Sequence, residues 1–141
     1  MDADEAAARL AAARVGRLAT VRPDGTPHVV PFVFAIVEDG GRLLAYWAVD
    51  AKPKRSASIR RLENIRANPA VELVVDGYAE DWTRLWWVRA AGRARVVSSE
   101  DETTLAGRAL AEKYPTYRAE PPPGPVIAIE IDRITGWAAS A

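Results

Sequence analysis

The sequence predicts a mainly β domain in which six antiparallel strands form a small barrel with short helices at its ends. Apolar runs of strand length are separated by turns that contain Gly and Pro, and most of these runs follow one another in hairpin order. Helical periodicity is confined to three short segments. The chain has 141 residues, which suits one domain spanning 1–141 with a single core.

The six predicted strands are bounded by turn residues or by helices. They cover Arg17–Arg22, His28–Val37, Arg42–Val49, Ala70–Asp76, Arg84–Val97 and Val126–Ile131. Gly92 is expected to mark a bulge or a sharp bend in the fifth strand, since glycine inside a strand often does so. The Pro-rich run at 121–125 is too short for a domain linker, so it is expected to lead directly into the last strand.

The three predicted helices each carry a recognisable start or stop signal. The first follows Asp2 and ends at Gly16, the second follows Ser56 or Ser58 and ends at Asn68, and the third runs from Ser99 to about Tyr114. Capping-box patterns at the first and third helices place an acceptor side chain before the first turn and a glutamate three residues later.

The second predicted strand is apolar on both faces. Its larger face consists of Val30, Phe32, Phe34 and Ile36, and its smaller face of Val29, Pro31, Val33 and Ala35. A strand with one side in water would not show this pattern. The larger face is therefore expected in the core, and the smaller face is expected to be covered by a partner subunit, a flat ligand or the N-terminal helix. Pro31 places this strand at an edge or at a bulge.

Charge is distributed unevenly along a chain whose formal net charge is zero. Residues 52–66 contain six basic residues and one acidic residue, a local charge of +5 against −5 for the remainder. Such a concentration attracts anions locally. The acidic remainder argues against a nucleic-acid-binding protein.

Several classes of protein and site are excluded or disfavoured by composition. The chain has no cysteine and lacks both GxGxxG and GxxxxGK[ST]. Its one histidine, His28, has no neighbours at metal-ligand spacing, so no metal site is predicted and a solvated strand-end side chain is expected. No uncharged run reaches the roughly 20 residues of a membrane span, and the acidic start does not resemble a signal peptide, so a cytoplasmic protein is expected.

The basic segment is the candidate anion site. It contains Lys52, Lys54, Arg55, Ser56, Arg60 and Arg61 around the start of the second helix. A helix N-terminus, hydroxyl groups and guanidinium groups together suit a phosphate. An ordinary solvated basic loop explains the same residues equally well.

Aromatic residues form the second candidate feature, in the string DWTRLWWVR at 81–89. Trp86 and Trp87 are adjacent in a strand and therefore point to opposite faces. They can fill the core, form a subunit interface or provide a wall for a flat ring. A flat apolar surface beside a phosphate site favours a nucleotide-like cofactor or single-stranded nucleic acid.

The order of these features resembles the pyridoxamine 5′-phosphate oxidase-like split β-barrel family, which includes flavin-reductase-like proteins. The resemblance covers nearly the whole chain, from RLATV to VIAIEI, and includes the basic loop, the helix with Arg60 and Arg61, and Asn68–Pro69. The strings KPKRS, RRLENIRANPAVELVVD and EDWTRLWWVRAAGRA resemble the branch of deazaflavin-dependent enzymes that use coenzyme F420.

This resemblance implies a six-stranded split β-barrel that forms a homodimer with a cofactor site at each subunit interface. The cofactor phosphate would contact Arg60 and Arg61, with Lys52, Lys54, Arg55 and Ser56 nearby, and the ring would lie near Pro31, Val33, Ala48 and Val49. Trp86 and Trp87 would face the substrate or the dimer interface. The longer basic loop and Pro31 depart from the flavin-oxidase pattern, which argues against a pyridoxamine phosphate oxidase itself.

The implied activity is an F420-dependent oxidoreductase that transfers a hydride to a small unsaturated substrate, with no catalytic side chain identified. FMN in place of F420 is one alternative, because phosphate and ring contacts are largely shared between the two. A non-catalytic module that carries a cofactor or binds haem is another.

Overall fold

The computed structural model describes residues 1–49 and 57–140, except for the side chains of 57–59. The strands are β1 (Gly16–Val21), β2 (Pro27–Phe32), β3 (Ala35–Asp39), β4 (Arg42–Ala48), β5 (Ala70–Gly77), β6 (Trp86–Val96) and β7 (Val126–Ala138). The α-helices are α1 (Ala3–Ala12), α2 (Ala57–Ala67), α3 (Glu100–Lys113) and α4 (Pro115–Ala119), and a 3-10 turn covers Trp82–Arg84.

The seven described strands form one antiparallel sheet in the order β2-β1-β5-β6-β7-β4-β3. Its two edge strands, β2 and β3, are joined by only Val33 and Phe34. Three Cα–Cα steps reach about 11 Å at most, whereas a flat seven-stranded sheet would separate its edges by roughly 28 Å. The sheet therefore has to curl until its two edges come close together.

The predicted strand His28–Val37 is wrong as a single element, because the structure divides it into β2 and β3. This division is why the sheet has seven strands instead of six. The segment is apolar on both faces because Phe32 and Phe34 enter one apolar cluster while Ala35 enters another. No ladder joins β2 to β3 in the part of the chain that the structure describes, so the curled sheet is not a closed barrel.

The last strand is also longer than predicted, since β7 continues past Ile131 to Ala138 along the whole of β6. The prediction of a bulge at Gly92 is confirmed by a register shift between Ala91 and Gly92. A Cβ at Gly92 would collide with the carbonyl oxygen of Glu130, so glycine is required by the close approach of the two strands.

The predicted caps of the first and third helices are confirmed, whereas the cap predicted at Ser56 or Ser58 lies outside the described side chains. The side chain of Asp2 accepts a hydrogen bond from the N–H of Glu5 at 2.8 Å, and Ser99 accepts one from Glu102 at 3.1 Å. Each bond satisfies one of the N–H groups that a helix leaves unpaired in its first turn. The short helix α4 and the 3-10 turn are additions to the three helices that periodicity predicts.

Two apolar clusters stabilise the fold. The main core lies inside the curled sheet and includes Leu18, Phe34 and Trp47, with Leu10 of α1 and Ile65 of α2. The second core packs α3 against the other face of β3, β4 and β7, and includes Ala35, Tyr46, Ala48, Ala106, Leu110 and Ala128. None of the described helices is long and apolar enough to cross a bilayer.

The crossover between β2 and β3 is held by the C-terminal end of α3. The Tyr114 hydroxyl accepts a hydrogen bond from the backbone N–H of Phe34 at 3.2 Å and donates one to the carbonyl oxygen of Arg14 at 2.9 Å. Lys113 Nζ donates to the carbonyl oxygen of Phe34 at 2.8 Å and lies 4.3 Å from the centre of the Phe34 ring. Phe32 and Phe34 stack with their ring centres 5.0 Å apart.

Lys113 should make stability depend on pH. Burial, with a smaller effect of Arg14, lowers the pKa of Lys113 from 10.5 to about 8. Between the pKa of Lys113 in the folded state, about 8, and its pKa in the unfolded state, 10.5, the unfolded state binds more protons than the folded state. The free energy of unfolding should therefore increase with pH across this range. Urea unfolding at about pH 7.5 and about pH 9.5 measures the increase.

The matched variant is Lys113→Met, which keeps most of the side-chain volume and removes the titrating group. The pH-dependent increase should be smaller in this variant than in the wild type. An equal increase in both proteins would show that Lys113 does not titrate in this range.

Candidate cofactor site

Helix α2 places a polar face against the main core. On it Arg61 and Asn64 are 7% and 0% exposed, beside the buried Ile65. Arg60 and Arg66 lie on the exposed side of the same helix. Residues three and four apart share a helix face, so the sequence places Arg61, Asn64 and Ile65 together on the inner side.

Asn64 and Thr20 form a buried polar contact that fixes α2 on β1. The amide Nδ2 of Asn64 donates to the Thr20 hydroxyl at 2.9 Å, and Thr20 is itself only 1% exposed. Asn64 Oδ1 has no hydrogen-bond partner among the described residues. Neither residue is among the site residues that the sequence predicts. The available signal for Asn64 was its spacing of three residues from Arg61, next to the apolar Ile65.

Arg61 lies over the end of β4. Its guanidinium carbon is 4.5 Å from the centre of the Trp47 ring, a cation–π geometry, and Trp47 is 1% exposed. Trp47 in turn packs edge-on against Phe32, with ring centres 6.4 Å apart. The buried arginine is therefore positioned by aromatic residues of the main core.

His28 lies directly opposite Thr20 in the β1–β2 register and is half-buried. The expectation of a solvated side chain holds only in part, because Nδ1 is buried and has no hydrogen-bond partner among the described residues. Burial lowers the pKa of His28 below its usual 6.5, and the positive charges of Arg22, Arg60 and Arg61 lower it further. We call His28, Arg22, Arg60 and Arg61 the cationic cluster.

This cluster joins residues from α2 with residues from the β1–β2 hairpin. Arg22, Arg60 and Arg61 give the region a positive potential, which adds to the effect of burial in lowering the pKa of His28. An anion placed here would be attracted by all three arginines. The basic segment predicts an anion site at Arg60 and Arg61, but no pattern in the sequence associates them with His28.

The predicted ring-contacting residues occupy several environments. Ala48 and Val49 are 7% and 8% exposed, but Ala48 packs in the second core and Val49 in the main core. Neighbouring residues of a strand point to opposite faces, so one ligand can meet both only if it contacts the backbone of one of them. Pro31 is exposed on β2 opposite Arg17, and Val33 is half-buried at the crossover.

The two tryptophans point to opposite faces, as adjacent residues of a strand must. Trp86 packs against the main core with the guanidinium of Arg9 4.7 Å from its ring centre. Trp87 lies opposite Trp137 on β7, under the guanidinium of Arg89 at 5.1 Å. The structure therefore places Trp86 beside α1, away from the contact of Arg61 with β4.

The remaining predicted contacts, Lys52, Lys54, Arg55 and Ser56, lie outside the described residues. Among the described residues no group of His, Asp and Glu is arranged to hold a metal ion. The site that the structure does describe is thus a cationic cluster next to the apolar end of β4.

The structure thus combines a curled antiparallel sheet with a helix whose Arg61 lies over the end of β4. The profile of the pyridoxamine 5′-phosphate oxidase family matches residues 3–138, and the chain belongs to that family. A search of curated proteins finds no match.

Solved structures with the same fold cover almost the whole chain. A conserved hypothetical protein from Mycobacterium tuberculosis is 21% identical, with a TM-score of 0.73 over 99% of this chain and 86% of that chain. An FAD-binding protein from Mesorhizobium loti is 27% identical, with a TM-score of 0.69 over 96% and 94%. The FAD-binding protein from Mycobacterium smegmatis is 21% identical, with a TM-score of 0.65 over 97% and 96%.

The cationic cluster should be visible in the titration of His28. This residue is the only histidine of the chain, so its C2 proton gives a single resonance in NMR spectra. Arg60→Ala should raise the pKa of His28, because one of the nearby positive charges that disfavour the imidazolium is removed.

Arg66→Ala is the matched control, because Arg66 is exposed on the last turn of the same helix. It should leave the titration of His28 close to that of the wild type. If the two variants shift the pKa of His28 equally, the arginine at position 60 has no specific influence on it.

Proposed function

We propose that the protein is an oxidoreductase that binds the deazaflavin F420 and transfers a hydride between the reduced cofactor and a small unsaturated substrate. The observation that carries the proposal is the cationic cluster, which lies beside the apolar end of β4 in a member of the pyridoxamine 5′-phosphate oxidase family. A flavin-type cofactor is a flat ring joined to a phosphate, and it needs both kinds of surface.

The residues present fit such a cofactor at both ends. Arg60 is exposed on α2, so its guanidinium is accessible to a phosphate oxygen. The buried Arg61 adds positive charge on the inner side of the helix. At the end of β4, Ala48 and Val49 are apolar and point to opposite faces, so the ring would contact the side chain of one and the backbone of the other.

The protein's contribution is binding and orientation, while the bound deazaflavin supplies the hydride. Asn64 fixes α2 on β1 through Thr20, and this contact sets the position of Arg60 and Arg61 relative to β4. Trp47 limits the movement of Arg61 by lying under its guanidinium. No side chain of the described site is assigned as an acid or base.

The net charge of the basic segment favours F420 over FMN. Residues 52–66 carry +5, which is more than one phosphate group requires. F420 carries carboxylates on its tail in addition to its phosphodiester, so a longer run of basic residues suits it better.

FMN or FAD is the second candidate cofactor. It is supported by the FAD-binding protein from Mesorhizobium loti, which shares 27% identity over 96% of this chain. The cationic cluster suits any of these phosphates, so the choice between the cofactors depends on the tail and the ring.

Titration of the purified protein with F420, FMN and FAD, followed by fluorescence, tests the cofactor. F420 should bind most tightly, and Arg60→Ala should weaken its binding about 10-fold or more, since a charge-assisted hydrogen bond contributes roughly 1.5–3 kcal/mol. Because Arg61 is buried, Arg61→Lys is the companion variant that keeps a positive charge while changing the geometry.

Arg66→Ala, six residues further along the exposed side of the same helix, is the control and should weaken F420 binding much less than Arg60→Ala does. Tighter binding of FMN or FAD than of F420 would identify a flavin as the cofactor. Equal binding by Arg60→Ala and the wild type would remove Arg60 from the phosphate site.

A homodimer is part of the same proposal. The outer face of β2 carries Val29, which is 61% exposed, and Pro31, which is also exposed. Two such faces from two copies would bury apolar surface that is otherwise in water. The dimer would also bring the cationic cluster of β2 and α2 close to the interface.

Val29→Asp should shift the protein from dimer to monomer, because a dimer interface would bury an unpaired carboxylate. Light scattering with size-exclusion chromatography measures the mass. Val15→Asp is the control, since Val15 is also exposed, at 44%, but lies between α1 and β1. A wild-type monomer, or a Val29→Asp dimer of unchanged stability, would exclude this face as the interface.

A further inference from the structure

A groove lies between the edge strand β3 and helix α3, away from the cationic cluster. It has a volume of about 900 Å³ and adjoins a second depression of about 490 Å³, which extends from Asp39 onto the face of the sheet at Leu44 and Tyr46. Its apolar lining includes Ile36, Val37, Leu105 and Ala109. Leu105 is 46% exposed, which is unusual for a leucine that packs beside a core.

The backbone edge of β3 faces this groove. Among the described strands β3 pairs only with β4, so its other edge carries backbone N–H and C=O groups without a neighbouring strand. The three consecutive residues Ala35, Ile36 and Val37 all line the groove. Since successive side chains point to opposite faces, consecutive lining residues mean that the groove runs along the strand edge itself.

The two ends of the groove carry opposite charges. Lys113, Arg108 and Glu112 line the part of the groove nearer Ala35 and carry two positive charges and one negative charge, a net +1. Neither cation forms an ion pair with a described carboxylate. Asp101 and Asp39 lie at the other end, and within the described chain they too lack ion-pair partners. A ligand with opposite charges at its own two ends would therefore bind in one orientation only.

The length of the groove fits a short extended peptide. Asp101 and Lys113 are twelve residues apart on α3, which corresponds to about 18 Å along the helix axis. An extended chain advances about 3.3 Å per residue, so five or six residues span this distance. The edge strand β3 is itself five residues long.

We infer that the groove binds an extended peptide segment that adds to the sheet as a strand antiparallel to β3. The peptide carries an acidic residue at its carboxyl end, next to Lys113 and Arg108, and a basic residue at its amino end, next to Asp39 and Asp101. Because β3 runs from the basic end of the groove to the acidic end, this polarity gives antiparallel pairing, the more stable arrangement of two strands. Apolar side chains of the peptide would cover Leu105 and Val37.

Two blocked peptides of the same composition test the inference by calorimetry. The forward probe is acetyl-lysine-valine-threonine-valine-isoleucine-glutamate-amide, and the reversed probe has the opposite order. The forward probe should bind about 10-fold more tightly or better, because reversal replaces two attractive charge contacts by two repulsive ones.

The matched variant carries Arg108→Glu and Asp101→Lys together, which inverts the polarity of the groove and keeps the net charge. Both residues are exposed, so the fold should be retained, as circular dichroism can verify. This variant should prefer the reversed probe. Non-specific apolar binding would not distinguish the two probes, so it would not produce a preference that reverses between the wild type and this variant.

Three results would overturn the inference. The first is equal affinity of the wild type for the two probes, or no binding of either at about 1 mM. The second is the same preference in the wild type and the inverted variant. The third is a change of oligomeric state in the inverted variant by light scattering, which would identify the groove as an interface between copies.

Discussion

The two-residue crossover from β2 to β3 is the constraint on which the rest of the structure depends. It joins the opposite edges of one sheet, so the sheet must curl and enclose the main core. The crossover is held from outside the sheet by Lys113 and Tyr114, and from inside by the stacked rings of Phe32 and Phe34. Helix α3 therefore stabilises the curl and, by packing beside β3, forms one wall of the groove.

The position of α2 follows from the same curl. The inner surface of β1 and β4 offers the helix an apolar site, yet the helix contributes Arg61 and Asn64 to it. The ring of Trp47 offsets the cost of burying Arg61 through a cation–π contact. The hydroxyl of Thr20 offsets the cost of burying Asn64 by accepting its hydrogen bond. Polar contacts within a core specify one arrangement of a helix more strongly than apolar contacts alone, at a cost in stability. Here they set where the arginines lie relative to β4.

Sequence patterns predicted the parts of the fold that depend on local chemistry. The helix caps at Asp2 and Ser99 depend on residues three positions apart in sequence, and the structure confirms both. The bulge at Gly92 depends on the close approach of one neighbouring backbone, and it is confirmed as well. The division of 28–37 could not be predicted in this way. Phe34 is redirected by bonds to Lys113 and Tyr114, about eighty residues later in the chain.

The candidate site was predictable to a similar extent. A run of basic residues identified Arg60 and Arg61 from composition alone. The association of His28 with them depends on the pairing of β1 with β2 and the packing of α2, which no local pattern contains. Asn64 and Thr20 are 44 residues apart in sequence, so their contact becomes visible only in the folded chain.

The place of β7 in the sheet has a consequence for how the chain folds. This strand is the last element in sequence, yet it lies between β6 and β4 and joins the β2-β1-β5-β6 half of the sheet to the β4-β3 hairpin. Its alternate residues Ile127 and Ile129 enter the main core, while Val126 and Ala128 enter the second core. During synthesis neither half can complete its core until residues 126–138 have left the ribosome. Folding of the two halves is therefore coupled through one strand, and the native sheet forms only after synthesis of that strand.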